Sequence, residues 1–140
     1  MKVTDCEEPL TEGKVASFER ELGLQFPPGL REHFLRANGG RPDPCVYEDD
    51  KVDTVVSEFL PLRHGKGSAI SVYQDHVLSK AFVPRHFFPF AVDGGGDYFY
   101  VDCSPGGGRV YLYRHDTAYE PVVPLNVSID EFWSRLKSNE

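Results

Sequence analysis

The sequence predicts an α+β fold, in which α-helices pack on one side of an antiparallel β-sheet. Two groups of segments predict it: amphipathic helical segments near both ends of the chain, and short apolar segments separated by glycine-rich turns between them. Helices and strands that are grouped in this way are typical of the α+β class. The length of 140 residues is that of one domain, so residues 1–140 are expected to fold as a single unit.

The first helix is predicted to begin at Thr11, whose hydroxyl can accept a hydrogen bond from an early backbone N–H group. Val15, Phe18 and Leu22 recur at the spacing of one helical face and are expected to turn towards the core. Gly23 is expected to end this helix, because glycine adopts the left-handed conformation without steric strain.

A second helix is predicted to open at Pro27-Pro28, since proline is tolerated in the first turn of a helix. The run Asn38-Gly39-Gly40 is expected to stop it, because asparagine and glycine adopt positive φ at little cost. The inward-facing residues of this helix are predicted to be Leu30, Phe34 and Leu35.

The middle of the chain is predicted to contain most of the strands. Aromatic and β-branched residues indicate strands at 45–47 and 54–60, followed by a glycine-rich loop at 63–68 and a helix at 69–81. Glycine-rich turns then separate three further apolar segments, which is the pattern of an antiparallel meander. These segments lie at residues 87–92, 98–103 and 109–113.

The last helix is predicted from a capping box, in which Ser128 is the cap and Glu131 is the third helical residue. Trp133 is expected to be a core residue rather than a partner anchor, because it shares the apolar face of this helix with other large side chains. The other members of that face are Ile129, Phe132 and Leu136.

The composition argues against several classes of protein. The formal net charge of −7 would repel nucleic acid, and the chain has no stripe of lysine and arginine to override the repulsion. No apolar run approaches the ~20 residues of a membrane helix, and the acidic N-terminal segment lacks the apolar region of a signal peptide. We therefore expect a cytoplasmic protein. The widely spaced cysteines, without a CxxC pair, are typical of reduced thiols.

No sequence motif indicates catalysis or a bound cofactor. The glycine clusters lack the GxxxxGK[ST] pattern of a phosphate-binding loop, and hairpin turns explain them. The five histidines lack the spacing of metal ligands, and no GxSxG nucleophile elbow occurs. We therefore expect no enzymatic activity, no metal and no cofactor, although a catalytic or metal cluster assembled only in three dimensions stays open.

Two sets of acidic residues have both a structural and a functional interpretation. Asp93 and Asp97 flank a glycine turn, where they either hydrogen-bond the backbone of the turn or serve as a functional pair that binds a cation or does acid/base work. The densest acidic run is either a solvated loop between strands or a landing site for basic side chains of a partner. Its members are Glu48, Asp49, Asp50 and Asp53.

Five aromatic residues lie on the predicted strands: Tyr98, Phe99, Tyr100, Tyr111 and Tyr113. Alternate residues of a strand point to opposite faces of the sheet. One set is therefore expected in the core, and the other set either joins the core or forms an exposed aromatic surface of the kind enriched in interfaces.

Several short motifs occur in a specific order along the chain. Phe26-Pro27-Pro28 precedes the second helix, which Asn38-Gly39-Gly40 follows, and Phe88-Pro89-Phe90-Ala91 precedes Asp93 and Gly96-Asp97. Taken together, these motifs resemble the SUKH superfamily, the Smi/Knr-type proteins, over nearly the whole chain. One departure is that Phe26 stands where the family usually has leucine, which keeps the pattern of an apolar residue before proline.

The resemblance implies a protein-binding domain rather than an enzyme. Many bacterial members look like immunity proteins that neutralise polymorphic or contact-dependent toxins, whereas fungal relatives act as regulatory hubs. A toxin-neutralising protein is the leading hypothesis, and a regulatory scaffold without a toxin partner is the alternative. The motif residues themselves are expected to have structural roles; they are Pro27, Asn38, Gly39, Gly40, Asp93, Gly96 and Asp97.

The negative charge of the chain also predicts the character of the partner. An acidic protein attracts a basic one at long range, and toxins that cut nucleic acid are basic because they must hold phosphates. We therefore expect a basic toxin domain such as a nuclease. The residues expected to contribute to its capture are Glu48, Asp49, Asp50 and Asp53.

Overall fold

The predicted α+β fold is confirmed in the computed structural model, which describes residues 1–138. Helices lie near both ends of the described chain, and most of the strands lie between them. In chain order the elements are β1 (Lys2–Thr4), α1 (Glu12–Leu22), α2 (Pro28–Arg36), β2 (Arg41–Asp43), β3 (Val46–Glu48), β4 (Asp53–Phe59), α3 (Ala69–Val72), a π-helix (Tyr73–Ser79), β5 (Phe87–Asp93), β6 (Tyr98–Asp102), β7 (Arg109–Tyr113), β8 (Val122–Ser128) and α4 (Ile129–Arg135).

The main sheet is an antiparallel meander. Within residues 1–138, its six strands follow one another in chain order from β3 to β8, and β1 pairs with β2 in a separate two-stranded sheet. The five predicted strands correspond to β3 to β7, and their bounds agree to within one residue. The prediction of an antiparallel sheet centred on residues 87–113 is therefore confirmed.

Three strands escaped prediction, namely β1, β2 and β8. The first two have only three residues each, too few to show an alternating pattern. β8 contains Pro124 and Asn126, two residue types that are disfavoured in strands. It accommodates Pro124 because it is the last strand of the sheet, where the missing N–H group of proline is not needed for a hydrogen bond to a further strand. It accommodates Asn126 because this residue adopts a positive φ of 58° beside a shift in the register.

Local hydrogen bonds define α1 as predicted. The Thr11 hydroxyl accepts from the backbone N–H of Lys14 at 3.2 Å, and Gly23 ends the helix with a φ of 69°. Val15 is fully buried, while the other two members of the predicted apolar stripe are half-buried and pack against the core.

The end of α2 differs from the prediction. Leu30 and Phe34 are fully buried, as expected. However, the helix ends at Arg36, and Ala37 occupies the cap position in an extended conformation. The segment Asn38-Gly39-Gly40 therefore follows the helix end instead of forming it, and it shapes the connection to β2.

The predicted helix at 69–81 exists, but only its first part is α-helical. After Ala69–Val72 the chain continues as a π-helix over Tyr73–Ser79. In this segment the hydrogen bonds span one more residue than in an α-helix, as between the N–H of Lys80 and the carbonyl of Asp75 at 3.0 Å. No feature of the sequence pattern distinguishes such a segment from an ordinary helix.

The core lies between one face of the sheet and the helices α2 and α4. Phe99 of β6 marks this face, since its ring lies 5.1 Å from Phe132 of α4 and 6.4 Å from Phe90 of β5. Because neighbouring residues of a strand point to opposite faces, Tyr98 and Tyr100 lie on the other side of the sheet. We call that side the outer face.

Trp133 is a core residue, as predicted. Its side chain is 8% exposed and stacks on Phe59, with ring centroids 5.1 Å apart. Its indole N–H donates a hydrogen bond of 2.9 Å to Nδ1 of the fully enclosed His33. The His33 ring also contacts Phe34 and Phe90 edge to face. This polar pair fixes the packing of α4 against α2 at the centre of the core.

Candidate functional site

The predicted acidic run lies on the hairpin formed by β3 and β4. Glu48 and Asp53 stand directly opposite each other in the antiparallel register. Asp49 is engaged by the turn itself: its Oδ1 accepts from two backbone N–H groups at 2.8 Å each, and its Oδ2 accepts from the Tyr47 hydroxyl at 2.9 Å. Burial raises the pKa of Asp49, but these hydrogen bonds outweigh it, and the pKa lies below its usual value.

Basic side chains surround this acidic run. Lys137 forms a salt bridge with Glu48, and the positive charge on Arg135 acts on Asp49. Two more basic residues lie close by. The ammonium group of Lys51 donates to the carbonyl of Pro124 in β8, and the guanidinium group of Arg114, which follows β7, donates to the carbonyl of Lys51. The local charge is therefore close to balanced. Among residues 1–138, the exposed carboxylates of Asp50 and Asp53 have no hydrogen-bond or salt-bridge partner.

Asn38 connects three segments of the chain. Its Nδ2 donates to the carbonyl of Glu8 at 2.8 Å, and its Oδ1 accepts from the backbone N–H of Leu62 at 2.9 Å. Gly40 adopts a φ of 108°, and a Cβ atom there would lie 2.6 Å from the carbonyl oxygen of Thr4. These two motif residues hold the N-terminal segment against the core, which is a structural role.

Pro27 and Gly39, two further motif residues, also have structural roles. The carbonyl of Pro27 accepts from the N–H groups of Leu30 and Arg31, at 3.0 and 3.1 Å, and so satisfies donors in the first turn of α2. Gly39 adopts a φ of 74° and packs closely against Pro61, so that a Cβ atom on Gly39 would lie 3.1 Å from the proline ring.

Asp93 organises the turn between β5 and β6. Its Oδ1 accepts from the backbone N–H groups of Gly95 and Asp97, at 3.0 and 2.8 Å, and its Oδ2 accepts from the Thr54 hydroxyl at 2.8 Å. Gly96 supplies the positive φ of 89° that the turn requires. Both oxygens of the buried Asp93 carboxylate are thus occupied by donors of the chain, which favours the structural interpretation over cation binding.

Asp97 joins this turn to the end of β7. Its Oδ1 accepts from the backbone N–H of His115 at 3.0 Å and also contacts the imidazole Nδ1 of that residue. The hydrogen bond that the imidazole donates to Asp97 raises the pKa of His115 above its usual value, and the charge of Asp97 adds to the effect. Within the described part of the chain, no three histidine, cysteine or acidic side chains are arranged to hold a metal ion.

A cleft with a volume of about 610 Å³ lies between residues 23–28 and the turn at 103–107. His86 lines it, and its Nε2 lies 3.6 Å from Oδ1 of Asp102. The thiol of Cys103 donates to a backbone carbonyl, and burial raises its pKa to about 12. The cleft is therefore lined by a histidine and a cysteine, but the thiol is protonated at neutral pH and is a weak nucleophile.

An aromatic surface lies on the outer face of the sheet. It comprises His76, Phe82, Tyr98 and Tyr113, which we call the outer aromatic face. Phe82 stacks on Tyr113 with centroids 5.1 Å apart, and His76 contacts both Phe82 and Tyr98, at 5.4 and 5.1 Å. Phe82 is 36% exposed, and the two tyrosines are half-buried.

Alternation along β6 and β7 predicted a second set of tyrosines on the face away from the core, as observed for Tyr98 and Tyr113. The contribution of His76 and Phe82 was missed. They come from the π-helix and the connection after it, and nothing in the local sequence places that connection against the sheet. Tyr100, on the same side, is fully buried, so only part of the outer set is accessible.

Comparisons with known proteins identify the family. No curated protein and no solved structure matched the chain. The family model described as the SMI1 / KNR4 family (SUKH-1) matches residues 9–135, which include the short motifs, the acidic run and the outer aromatic face. The suspected resemblance to the SUKH superfamily is thus confirmed, and the chain belongs to the SMI1 / KNR4 (SUKH-1) family.

Proposed function

We propose that this chain is an immunity protein that binds and neutralises a cognate bacterial toxin. It acts in the cytoplasm as a single domain of residues 1–140, and it works by stoichiometric occlusion of the active site of the toxin or of a surface beside it. It has no catalytic activity of its own. Family membership over residues 9–135 is the observation that carries this proposal, since it indicates an immunity-type domain that works through protein–protein contact.

The chemistry of the cleft beside Cys103 supports a binding role. A cysteine nucleophile requires a thiolate, which basic neighbours or a helix N-terminus stabilise. Cys103 has the opposite environment, because burial raises its pKa to about 12 and its proton is held by a backbone carbonyl. At neutral pH the cleft therefore has an exposed histidine in its lining but no activated nucleophile.

The charge of the chain supports a basic partner such as a nuclease. The formal net charge is −7, and opposite charges accelerate association, to on the order of 10⁸ M⁻¹s⁻¹ at low salt. Within the acidic run we propose different contributions for different members. Asp50 and Asp53 attract the partner directly, Glu48 does so after exchanging its contact with Lys137, and Asp49 holds the turn that presents them.

Association kinetics with the cognate toxin domain, to be sought among the genes that flank this one, test the proposal. Screening shortens the Debye length from ~30 Å at 0.01 M salt to ~8 Å at 0.15 M, so the association rate should fall steeply while dissociation changes less. The double variant Asp50→Asn/Asp53→Asn should lower the rate at low salt by about two- to fivefold. The matched control is Glu8→Gln/Glu32→Gln, which removes the same charge from exposed positions elsewhere.

Two outcomes would contradict parts of the proposal. If both double variants slow association equally, net charge steers the partner and the hairpin has no special role. If the toxin domain neither binds the protein in a one-to-one complex nor loses its toxicity when the two are produced together, the immunity function itself is wrong.

A further inference from the structure

The side chains of the outer aromatic face are held in place by contacts with one another. Phe82 is held from two sides, by its stack on Tyr113 and by the edge of His76. Its backbone N–H donates to the carbonyl of His76 at 2.9 Å, and the preceding Ala81 adopts a φ of 55°. A side chain that is ordered before binding loses little conformational entropy on binding, so such a ring is a favourable anchor for a partner.

Carboxylates surround these rings. Asp75 lies beside His76, with 3.4 Å between its Oδ2 and the imidazole Nε2. Glu58 is exposed and lies in the same row of the sheet as Tyr98, with Val92 between them, and its charge acts on the Tyr98 hydroxyl. Against these two acids stands one lysine, Lys80, which pairs with Asp75 at 3.3 Å. The rim of the face is therefore negative.

The structure contains an internal example of a cation bound here. The Nζ of Lys80 lies 5.7 Å from the centroid of the Phe82 ring while it pairs with Asp75. An ammonium or guanidinium group over an aromatic ring is attracted by the negative face of the ring. Arginine suits this combination best, because its planar group stacks on aromatic rings and pairs with carboxylates at the same time.

We propose that the outer aromatic face is the contact surface for an arginine-rich segment of a basic protein partner. In this arrangement a guanidinium group stacks on Phe82 or Tyr113, while Asp75 or Glu58 pairs with the charge. The inference rests on the proposed function in that the partner is a protein, and it assigns the docking site that the family membership leaves open. A second copy of this chain is a poor occupant, since it would bring two negative rims together.

A peptide titration tests this surface without the toxin. The probe is a short peptide of alternating arginine and glycine, and the control peptide carries citrulline, which has nearly the same shape without the charge. Heteronuclear NMR of the labelled protein should show shifts at Phe82, Tyr98 and Tyr113 with the arginine peptide only. The variant Phe82→Ser should weaken binding by about three- to tenfold. Tyr119→Ser, which removes an aromatic ring that is 79% exposed elsewhere, should leave binding unchanged.

Several results would overturn the inference. These are equal binding of the citrulline peptide, shifts confined to Asp50 and Asp53, or self-association of the protein that the variant Phe82→Ser abolishes. The toxin domain then separates this inference from the proposed function. If the toxin binds and Phe82→Ser leaves its affinity unchanged, the surface is wrong and the immunity function stands. If the toxin does not bind but the arginine peptide maps to the face, the immunity function is wrong and the surface stands.

Discussion

Acid should destabilise this protein through one buried histidine. The Nδ1 atom of His33 accepts the indole N–H of Trp133, so the neutral ring carries its proton on Nε2, which has no hydrogen-bond partner among residues 1–138. Burial, together with the positive charge of Arg36, lowers the pKa of His33 from 6.5 to about 3. Below pH 6.5 the unfolded chain therefore binds a proton that the folded chain does not.

The size of the effect follows from this difference in pKa. Each pH unit between the two values lowers the free energy of unfolding by about 1.4 kcal/mol. The loss begins as the pH falls through 6.5, the value in the unfolded chain, and continues to about 3. At about pH 5 it amounts to about 2 kcal/mol, which should lower the urea midpoint by about 1 M.

The variant His33→Gln isolates this contribution, because glutamine can still accept the Trp133 indole N–H but does not titrate. Urea unfolding of both proteins at about pH 7.5 and about pH 5 gives the change in stability for each. Carboxylates and the other histidines titrate in both proteins and cancel in the comparison. The wild type should lose about 2 kcal/mol more than the variant. Parallel losses would refute the reasoning, as would an NMR signal of a protonated His33 ring in the folded protein at pH 5.

Three further predictions concern stability. Trp133→Ala should lower the free energy of unfolding by about 3–5 kcal/mol; a loss below about 1 kcal/mol in urea unfolding would contradict a core role. Gly40→Ala should lower the thermal stability strongly, because the added Cβ atom would clash with β1. The control is Gly67→Ala, which has open space around it and should show only the smaller cost of a positive φ. Equal effects of the two variants would refute the clash. Asp93→Ala should cost about 1–3 kcal/mol and speed hydrogen exchange at the Gly95 amide; unchanged exchange would show that the carboxylate does not order the turn.

Short-range features of this fold were predictable because they depend on neighbouring residues. The Thr11 cap, the left-handed Gly23 and the Ser128 capping box each involve hydrogen bonds within one turn of helix, so the residue types alone indicate them. The glycine turns of the meander follow in the same way from the need for positive φ. The order of these local motifs was also enough to suggest the family.

The acidic run shows what local reasoning omits. Its four acids are close together in sequence, and the prediction treated them as one surface. In the structure, Asp49 accepts hydrogen bonds from its own turn, and Glu48 pairs with Lys137, which is far away in sequence. Of the basic residues that balance the run, Lys51 belongs to the hairpin itself, and the others come from two distant segments, at Arg114 and at Arg135 and Lys137. A run of charges therefore indicates exposure, whereas the field at that place depends on which distant segments fold beside it.

By itself the sequence determined the fold class, five strands of the meander, the caps of the terminal helices and the burial of Trp133. Only the tertiary structure decided how His33 is enclosed, where α2 ends, and that Phe82 lies against Tyr113 to form the outer aromatic face. The physical reason is the range of the interactions. Caps, turns and amphipathic periodicity are set by residues a few positions apart, while burial, desolvation and ring stacking depend on segments that meet only when the chain is folded.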